Sequence, residues 1–390
     1  MLANIASFTY NRKTGARISA GRPELKPYAR REWTIVILYL VCILIAACIG
    51  LRYAGRGRFF EDCLARDKIQ PIKGIFILLI FASHFYQYVE LKSPLSQPYV
   101  TIKVLLGQLV VAPFLFYSGF GVAESVRRKG RAYVRSMPLR RILKVLFQFD
   151  LAILLFYFVQ LALGNHYSLG KLLLSFVGWA AVGNSNWYIF AILSLYLISF
   201  LVCFVFLDEE GESAQKRKAF FITVLTLLLI WVLKRHRPSY CYNTLLAFPA
   251  GWWLSIWKER LFSFSFRSDK VYYFLFALLA LILYALRRSW KSLAAYECSA
   301  VVFSLLLVFM TAKLEIRSRI LRYCGDHLFS LFILQRLPML VLARTPLKTR
   351  VAPYFVLSLA ISFLLSWLFD LLVPKAWKRI EEACTMREKA

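Results

Sequence analysis

Lys73 and His84 lie in one apolar run, Gln70-Pro71-Ile72-Lys73-Gly74-Ile75-Phe76-Ile77-Leu78-Leu79-Ile80-Phe81-Ala82-Ser83-His84-Phe85-Tyr86. At about 100° per residue the two positions share nearly the same azimuth on a helix, about 16 Å apart along its axis. A cation at the membrane edge and an imidazole deep in hydrocarbon therefore fall on one stripe. Ionisable groups inside a bilayer are costly and mark pathways or reaction sites. The plain alternative is a snorkelling lysine and a histidine bonded to a neighbouring helix; the shared stripe favours function. A neutral imidazole is the cheaper form there, and it is the form that accepts a proton as a general base. Ser83 and Tyr86 flank it and could orient a ring nitrogen. If the run leads from cytosol outward, Lys73 stands at the cytosolic mouth, where a cation can hold an anionic donor such as a nucleotide phosphate.

Three further polar segments could carry chemistry. In Tyr133-Val134-Arg135-Ser136-Met137-Pro138-Leu139-Arg140-Arg141-Ile142-Leu143-Lys144, the arginines either set topology or form an anion cradle. Arg135, Arg140 and Arg141 would then open a helix on the same side as Lys73, and guanidinium forks suit phosphates better than lysine does. Gly183-Asn184-Ser185-Asn186-Trp187-Tyr188 is a polar knot at the start of an apolar run. Trp187 and Tyr188 have an ordinary place at a membrane interface, but with Asn184 and Asn186 they could bind a hydroxyl-rich acceptor. Ser118-Gly119-Phe120-Gly121 puts small residues where helices can approach closely, and Glu124 could neutralise an adjacent arginine. Asp150, Arg336 and Asp370 remain, and two of them are expected to form a structural ion pair.

The elements that must hold these groups are membrane helices. Of 390 residues, 59% are hydrophobic, more apolar surface than a soluble domain can hide. The fold class is all-α, a polytopic transmembrane helix bundle of about 10–11 spans. Eleven spans are expected near 33–51, 71–90, 100–122, 142–163, 185–207, 218–234, 241–257, 271–287, 296–313, 327–343 and 351–373. Those at 218–234, 241–257 and 271–287 are short for a bilayer of about 30 Å. Residues 168–183 read as a re-entrant or interfacial segment. The net charge of +29 lies mostly in short loops, where it sets topology and meets anionic lipid, and no recognition motif for nucleic acid accompanies it. Loop 123–141 is the strongest cytosolic marker; alternation places 208–217, 258–270 and 314–326 beside it, and 91–99, 164–184, 288–295 and 344–350 outside. It also places the basic N-terminal tail outside, against the positive-inside rule. The eight cysteines form no CxxC pair and read as buried hydrophobes, not disulfides or metal ligands. No signal peptide and no fixed-period repeat is visible.

In this order, these segments resemble the acyltransferase-3 family of integral membrane O-acyltransferases. The family's basic residue, ten others, then histidine stands here as Lys73 and His84-Phe85, with lysine where arginine is more common. Its Phe-rich helix ending Ser-Gly-Phe matches Phe114 to Gly121, and its Tyr-to-Arg-Arg-Ile-Leu stretch matches Tyr133 to Leu143. Its Trp-Tyr motif matches Trp187-Tyr188-Ile189, and a Phe-Pro-x-Gly element matches Phe248-Pro249-Ala250-Gly251. A late element is echoed by Gly325 to Gln335, but Gln335 replaces the usual histidine, so no catalysis is assigned there. The resemblance implies a division into 1–69, a basic tail plus one extra helix; 70–374, a ten-helix acyltransferase region; and 375–390, a basic cytosolic tail.

It also implies a multi-pass enzyme of the cell membrane that transfers acyl groups other than amino-acyl groups. Acyl-CoA, with acetyl-CoA the first candidate, would bind from the cytosol through Lys73, Arg135, Arg140 and Arg141, with no metal. His84 would be the general base. The acceptor would be a hydroxyl of a cell-surface polysaccharide or glycolipid, near Asn184, Asn186, Trp187 and Tyr188, with partner proteins of polysaccharide synthesis as possible recipients of the acyl group. Two rival readings are a transporter or flippase for a lipid-linked saccharide and a non-catalytic partner of a polysaccharide synthase.

Overall fold

The computed structural model describes residues 27–89, 97–289 and 291–387. Most of the basic tail and loop residues 91–96 lie outside it, so the expected sides of those segments do too. In hydrocarbon a backbone must close its hydrogen bonds within the segment, and the described residues are accordingly almost all helical. The order is α1 Pro27–Cys48, α2 Arg66–Phe85, α3 Gln97–Leu106, α4 Ala112–Met137, α5 Lys144–Ala162, α6 Leu169–Phe176, α7 Trp187–Val205 and α8 Gly211–His236. Then follow α9 Ala247–Ser265, α10 Asp269–Arg288, α11 Leu293–Lys313, α12 Arg319–Asp326, α13 Leu328–Leu334, α14 Arg336–Leu342 and α15 Val351–Arg387. Among the described residues, seven helical stretches are long and apolar enough to cross a membrane, and Ile35–Cys48 and Leu328–Leu342 are shorter apolar helices. The protein is an all-α polytopic helix bundle.

Several expected spans take a different form. The run near 100–122 is interrupted by a 3-10 turn at Gly107–Val110, after which Pro113 opens α4 in the first turn, where a missing N–H costs nothing. Within α4, Gly130 adopts φ 52° and ψ −135°, a conformation open to glycine and strained for other residues. The chain turns back there: Tyr117 and Ser118 from before it share a cavity with Arg141 and Val145 from after it. The return begins in a π-helical turn, Pro138–Leu143, leading into α5. Helix α8 has 26 residues, not the short span its apolar stretch suggests, because charged residues at both ends continue the helix. The span expected at 327–343 is broken into α13 and α14, and the segment 314–326, expected as a loop, contains the short helix α12. Residues 168–183 form α6 followed by irregular chain.

Two helix pairs lie in very close contact. A Cβ on Gly119 of α4 would overlap the carbonyl oxygen of Phe248 in α9, and a Cβ on Gly251 of α9 would overlap that of Phe116 in α4. The same reciprocity joins α2 and α12: Gly74 faces the carbonyl of Leu321, and Gly325 faces that of Gln70. Small residues allow such backbone approach and the packing that holds helices together in lipid. The α2–α12 crossing fixes the rotation of α2, and so the direction of the Lys73–His84 stripe.

One side of the bundle carries a rim of ion pairs, Arg131–Asp208 at 2.8 Å, Arg217–Glu209 at 3.4 Å and Arg127–Glu259 at 3.5 Å. This is the side that loop charge assigns to the cytosol. Exposed pairs of this kind add little stability. A small antiparallel ladder, Leu51–Tyr53 with Leu314–Ile316, ties the chain after α1 to the end of α11 on that side.

Candidate active site

Helix α2 delivers Lys73 and His84 into two cavities, one near each side of the bundle. The inner cavity, about 270 Å³, is lined by Lys73, Tyr117, Ser118, Gly121, Arg141 and Tyr196, among others. Lys73 Nζ lies 5.9 Å from the centre of the Tyr117 ring, and no carboxylate pairs with it among the described residues. Arg141 donates from Nε to Tyr133 Oη at 3.0 Å and faces the Tyr196 ring at 6.0 Å. Tyr196 is held in turn by Ser118, Oη to Oγ 2.6 Å. Two cations thus converge on a small void through neutral partners only, which leaves their charge available to an anion. A Cβ at Gly121 would meet nothing within 4 Å: of the two glycines in that motif, Gly119 serves packing and Gly121 leaves room in the cavity.

The outer cavity, about 590 Å³, is lined by His84, Asn184, Ser185, Trp187, Phe332 and Arg336, among others. His84 Nε2 lies 3.4 Å from Ser185 Oγ, and that oxygen lies 3.4 Å from Arg336 Nη1. His84 Nδ1 is buried with no hydrogen-bond partner. Arg336 is held by Gln87 Oε1 at 2.9 Å and, more loosely, by Tyr88 Oη at 3.5 Å. Loop 181–186 is positioned from α5: Gln160 donates to the Val182 carbonyl at 3.1 Å, and Asn184 Oδ1 accepts from the Val182 N–H at 3.0 Å. Asn184 Nδ2 is buried and unpartnered. A buried polar nitrogen without a partner is expensive, so both His84 Nδ1 and Asn184 Nδ2 are groups that a substrate could satisfy.

Between the cavities stands a layer of aromatic rings. Tyr188 meets Phe332 edge-on at 5.4 Å and Phe114 at 6.3 Å, and the His84 ring lies 6.2 Å from that of Phe332. Tyr188 lines the inner cavity and Phe332 the outer one. Helices α2, α4, α7 and α13 each send side chains to both cavities or to this layer, so the two voids lie along one axis.

The positions singled out from sequence separate accordingly. Lys73 and Arg141 meet in the inner cavity. Arg140 turns away to Glu381 at 3.3 Å, and Arg135 is exposed; neither lines that cavity. His84, Asn184, Asn186 and Trp187 line the outer cavity; Tyr188, expected beside them, lines the inner one instead, because successive helix positions point about 100° apart. Asn186 gives its side-chain N–H groups to the carbonyls of Gly178 and Ala180, both at 2.8 Å, which makes it a loop brace. The expected ion pair among Asp150, Arg336 and Asp370 does not form. Asp370 instead accepts from Ser330 at 2.6 Å and pairs with His327 Nδ1 at 2.5 Å, Asp150 Oδ1 has no partner, and Arg336 belongs to the outer cavity. Glu124, buried in the bundle, is met by Arg127, Lys258 and Ser255. Sequence reasoning passed over Ser185, Gln87 and Lys103 as site residues; Lys103 alone carried a signal, as a cation in an otherwise apolar run.

The bundle thus holds His84 at one cavity and, at the other, Lys73 and Arg141 without carboxylate partners among the described residues. The acyltransferase-3 family model, described as an acyltransferase domain, matches residues 67–371. The chain therefore belongs to the acyltransferase-3 family and is a multi-pass membrane acyltransferase. No curated protein and no solved structure matches it.

Proposed function

We propose that this chain moves an acyl group, acetyl in the first instance, from cytosolic acyl-CoA to a hydroxyl of a cell-surface polysaccharide or glycolipid. The observation that carries the reading is the pair of cavities on one axis, with Lys73 and Arg141 at the inner one and His84 at the outer one. Donor phosphates meet the two inner cations by charge-assisted hydrogen bonds. The pantetheine arm is thin enough to thread past Phe332 and Tyr188, which brings the thioester to His84. The neutral imidazole takes the proton of the acceptor hydroxyl, and the hydroxyl oxygen attacks the thioester carbonyl carbon. The C–S bond then breaks, the new ester remains on the acceptor, and the thiolate of CoA leaves with the proton that His84 returns. Arg336, held beside Ser185, faces the region where the tetrahedral oxyanion develops. Asn184 Nδ2 is the donor best placed to fix an acceptor hydroxyl.

The test is turnover of radiolabelled acetyl-CoA by purified protein in proteoliposomes with a hydroxylated saccharide present. Labelled saccharide is expected from the wild type and none from His84→Ala. A well-inserted wild type that carries unmodified saccharide across the bilayer, and leaves acetyl-CoA intact, would replace this reading with the flippase one.

A further inference from the structure

We infer that the acceptor of the outer cavity is an anionic saccharide, one that carries a carboxylate or comparable oxyanion beside the hydroxyl to be acylated. The fate of the hydroxyl rests on the acyl-transfer reading above; the charge rests on separate observations. Lys103 of α3 and Arg336 both line the cavity, and among its described lining residues there is no aspartate or glutamate. Arg336 has neutral partners only, Gln87, Tyr88 and Ser185. Lys103 has no carboxylate partner among the described residues. Asn184 Nδ2 adds a buried donor with nothing to donate to. The unsatisfied groups of this cavity are therefore mostly donors or positive charges.

The surroundings carry the same sign. Segments 97–111, 163–186, 234–246, 287–295 and 336–350 lie on this side, and all contain lysine or arginine but no aspartate or glutamate. The nearest acidic residues along the chain outside these segments are Glu90, two residues before Lys92 in the α2–α3 connection and outside the described residues, and Glu297, which is 2% exposed, with its carboxylate accepting the backbone N–H groups of Leu245 and Leu246. Near the cavity Arg287 reaches the carbonyl of Val104, next to Lys103, at 3.0 Å. The opposite rim, by contrast, pairs several of its cations with carboxylates, Arg131 with Asp208, Arg217 with Glu209 and Arg127 with Glu259. A cleft of one sign in low-dielectric walls focuses field and concentrates ligands of the other sign. Uncompensated cations in such walls are costly, and an anionic ligand offsets that cost where a neutral polyol does not.

The experiment is a calorimetric titration of the full chain in nanodiscs of zwitterionic lipid with a tetrasaccharide containing glucuronic acid. The comparison ligand is the same tetrasaccharide with its carboxyl groups reduced to hydroxymethyl. The acidic form is expected to bind at least ten-fold more tightly, about 1.4 kcal/mol. Lys103→Gln should remove most of that preference, and Lys103→Arg should restore it. Equal affinity for the two saccharides, or a preference that survives Lys103→Gln, overturns the inference. So does a preference of the wild type that disappears when phosphatidylglycerol is added, since the cations would then be lipid headgroup sites. Parallel transfer of label from acetyl-CoA separates the two readings: selective binding of the acidic saccharide without labelling of either form sinks the acyl-transfer reading alone, whereas equal labelling and equal binding of both sink only the anionic acceptor.

Discussion

Lys73 and Lys313 are both lysines at the edge of the apolar bundle, and their surroundings are opposite. Lys313 is 2% exposed and its ammonium is fully engaged. It donates to the carbonyls of Gly55 and Arg58 at 3.0 and 2.9 Å and to Asp269 at 2.5 Å, and it lies 3.9 Å from the Phe59 ring centre. Three donors find three oxygens, so the group locks α10, α11 and the chain after α1 together. Lys73 has one distant ring and a void in front of it. The same contrast separates Glu124, whose carboxylate is answered on several sides, from His84 with its unpartnered Nδ1. A buried polar group whose partners are complete holds the fold; one whose partners are missing beside a cavity waits for a ligand.

The largest effect should come from His84. His84→Ala is expected to lower acyl transfer at least about 100-fold, the usual scale for loss of a general base, with membrane insertion and acyl-CoA binding retained. Radiolabelled transfer by a well-expressed variant settles it, and near-normal transfer would put His84 with the structural groups. The second effect concerns stability. Lys313→Met leaves Asp269 with only the Gly57 N–H and takes the ammonium from two carbonyls, so the detergent-solubilised protein should unfold at a lower temperature, as followed by intrinsic fluorescence. Donor affinity of the folded fraction should change by less than about two-fold, under 0.5 kcal/mol. A variant that melts normally but binds acyl-CoA poorly would reverse the roles of the two lysines.

Lys73→Ala should weaken acyl-CoA binding about ten-fold, one charge-assisted contact at about 1.4 kcal/mol, while Lys73→Arg keeps it. Equilibrium binding in nanodiscs measures both, and an unchanged constant for the alanine variant removes the anion role. The smallest and sharpest difference is expected between neighbours. Arg141→Lys loses the planar fork that faces the inner cavity and should cost about three- to ten-fold in donor affinity, roughly 0.7–1.4 kcal/mol. Arg140→Lys keeps a cation beside Glu381 and should stay within about two-fold. Equal effects would mean that both arginines act through net charge alone.

That last pair shows where the sequence stops being legible. Two adjacent arginines look alike in a basic stretch; the π-helical turn at Pro138–Leu143 decides that one faces the cavity and the other Glu381. The Lys73–His84 stripe was readable because both residues interrupt one continuous apolar helix, where period alone fixes the shared face. The 3-10 turn at Gly107–Val110 and the break between α13 and α14 leave hydropathy almost unchanged, so counting apolar runs does not reveal them. Arg336 stood out as an arginine in hydrocarbon, but Gln87, Tyr88 and Ser185 come from two distant segments and only the folded bundle assembles them. Likewise the glycines of the Ser-Gly-Phe and Phe-Pro-x-Gly elements gain their meaning only together, as the two halves of one close helix crossing.

The central claim is that the acyl group passes from a donor held near Lys73 and Arg141, past the aromatic layer, to a base at His84 near the other side. Sealed proteoliposomes with radiolabelled acetyl-CoA on one face only, and saccharide supplied either on the same face or on the opposite face, test it most directly. The account predicts labelled saccharide only when donor and acceptor are on opposite faces, and no label in either arrangement with His84→Ala. Labelling with both substrates on the same face, or undiminished labelling by His84→Ala, would contradict it.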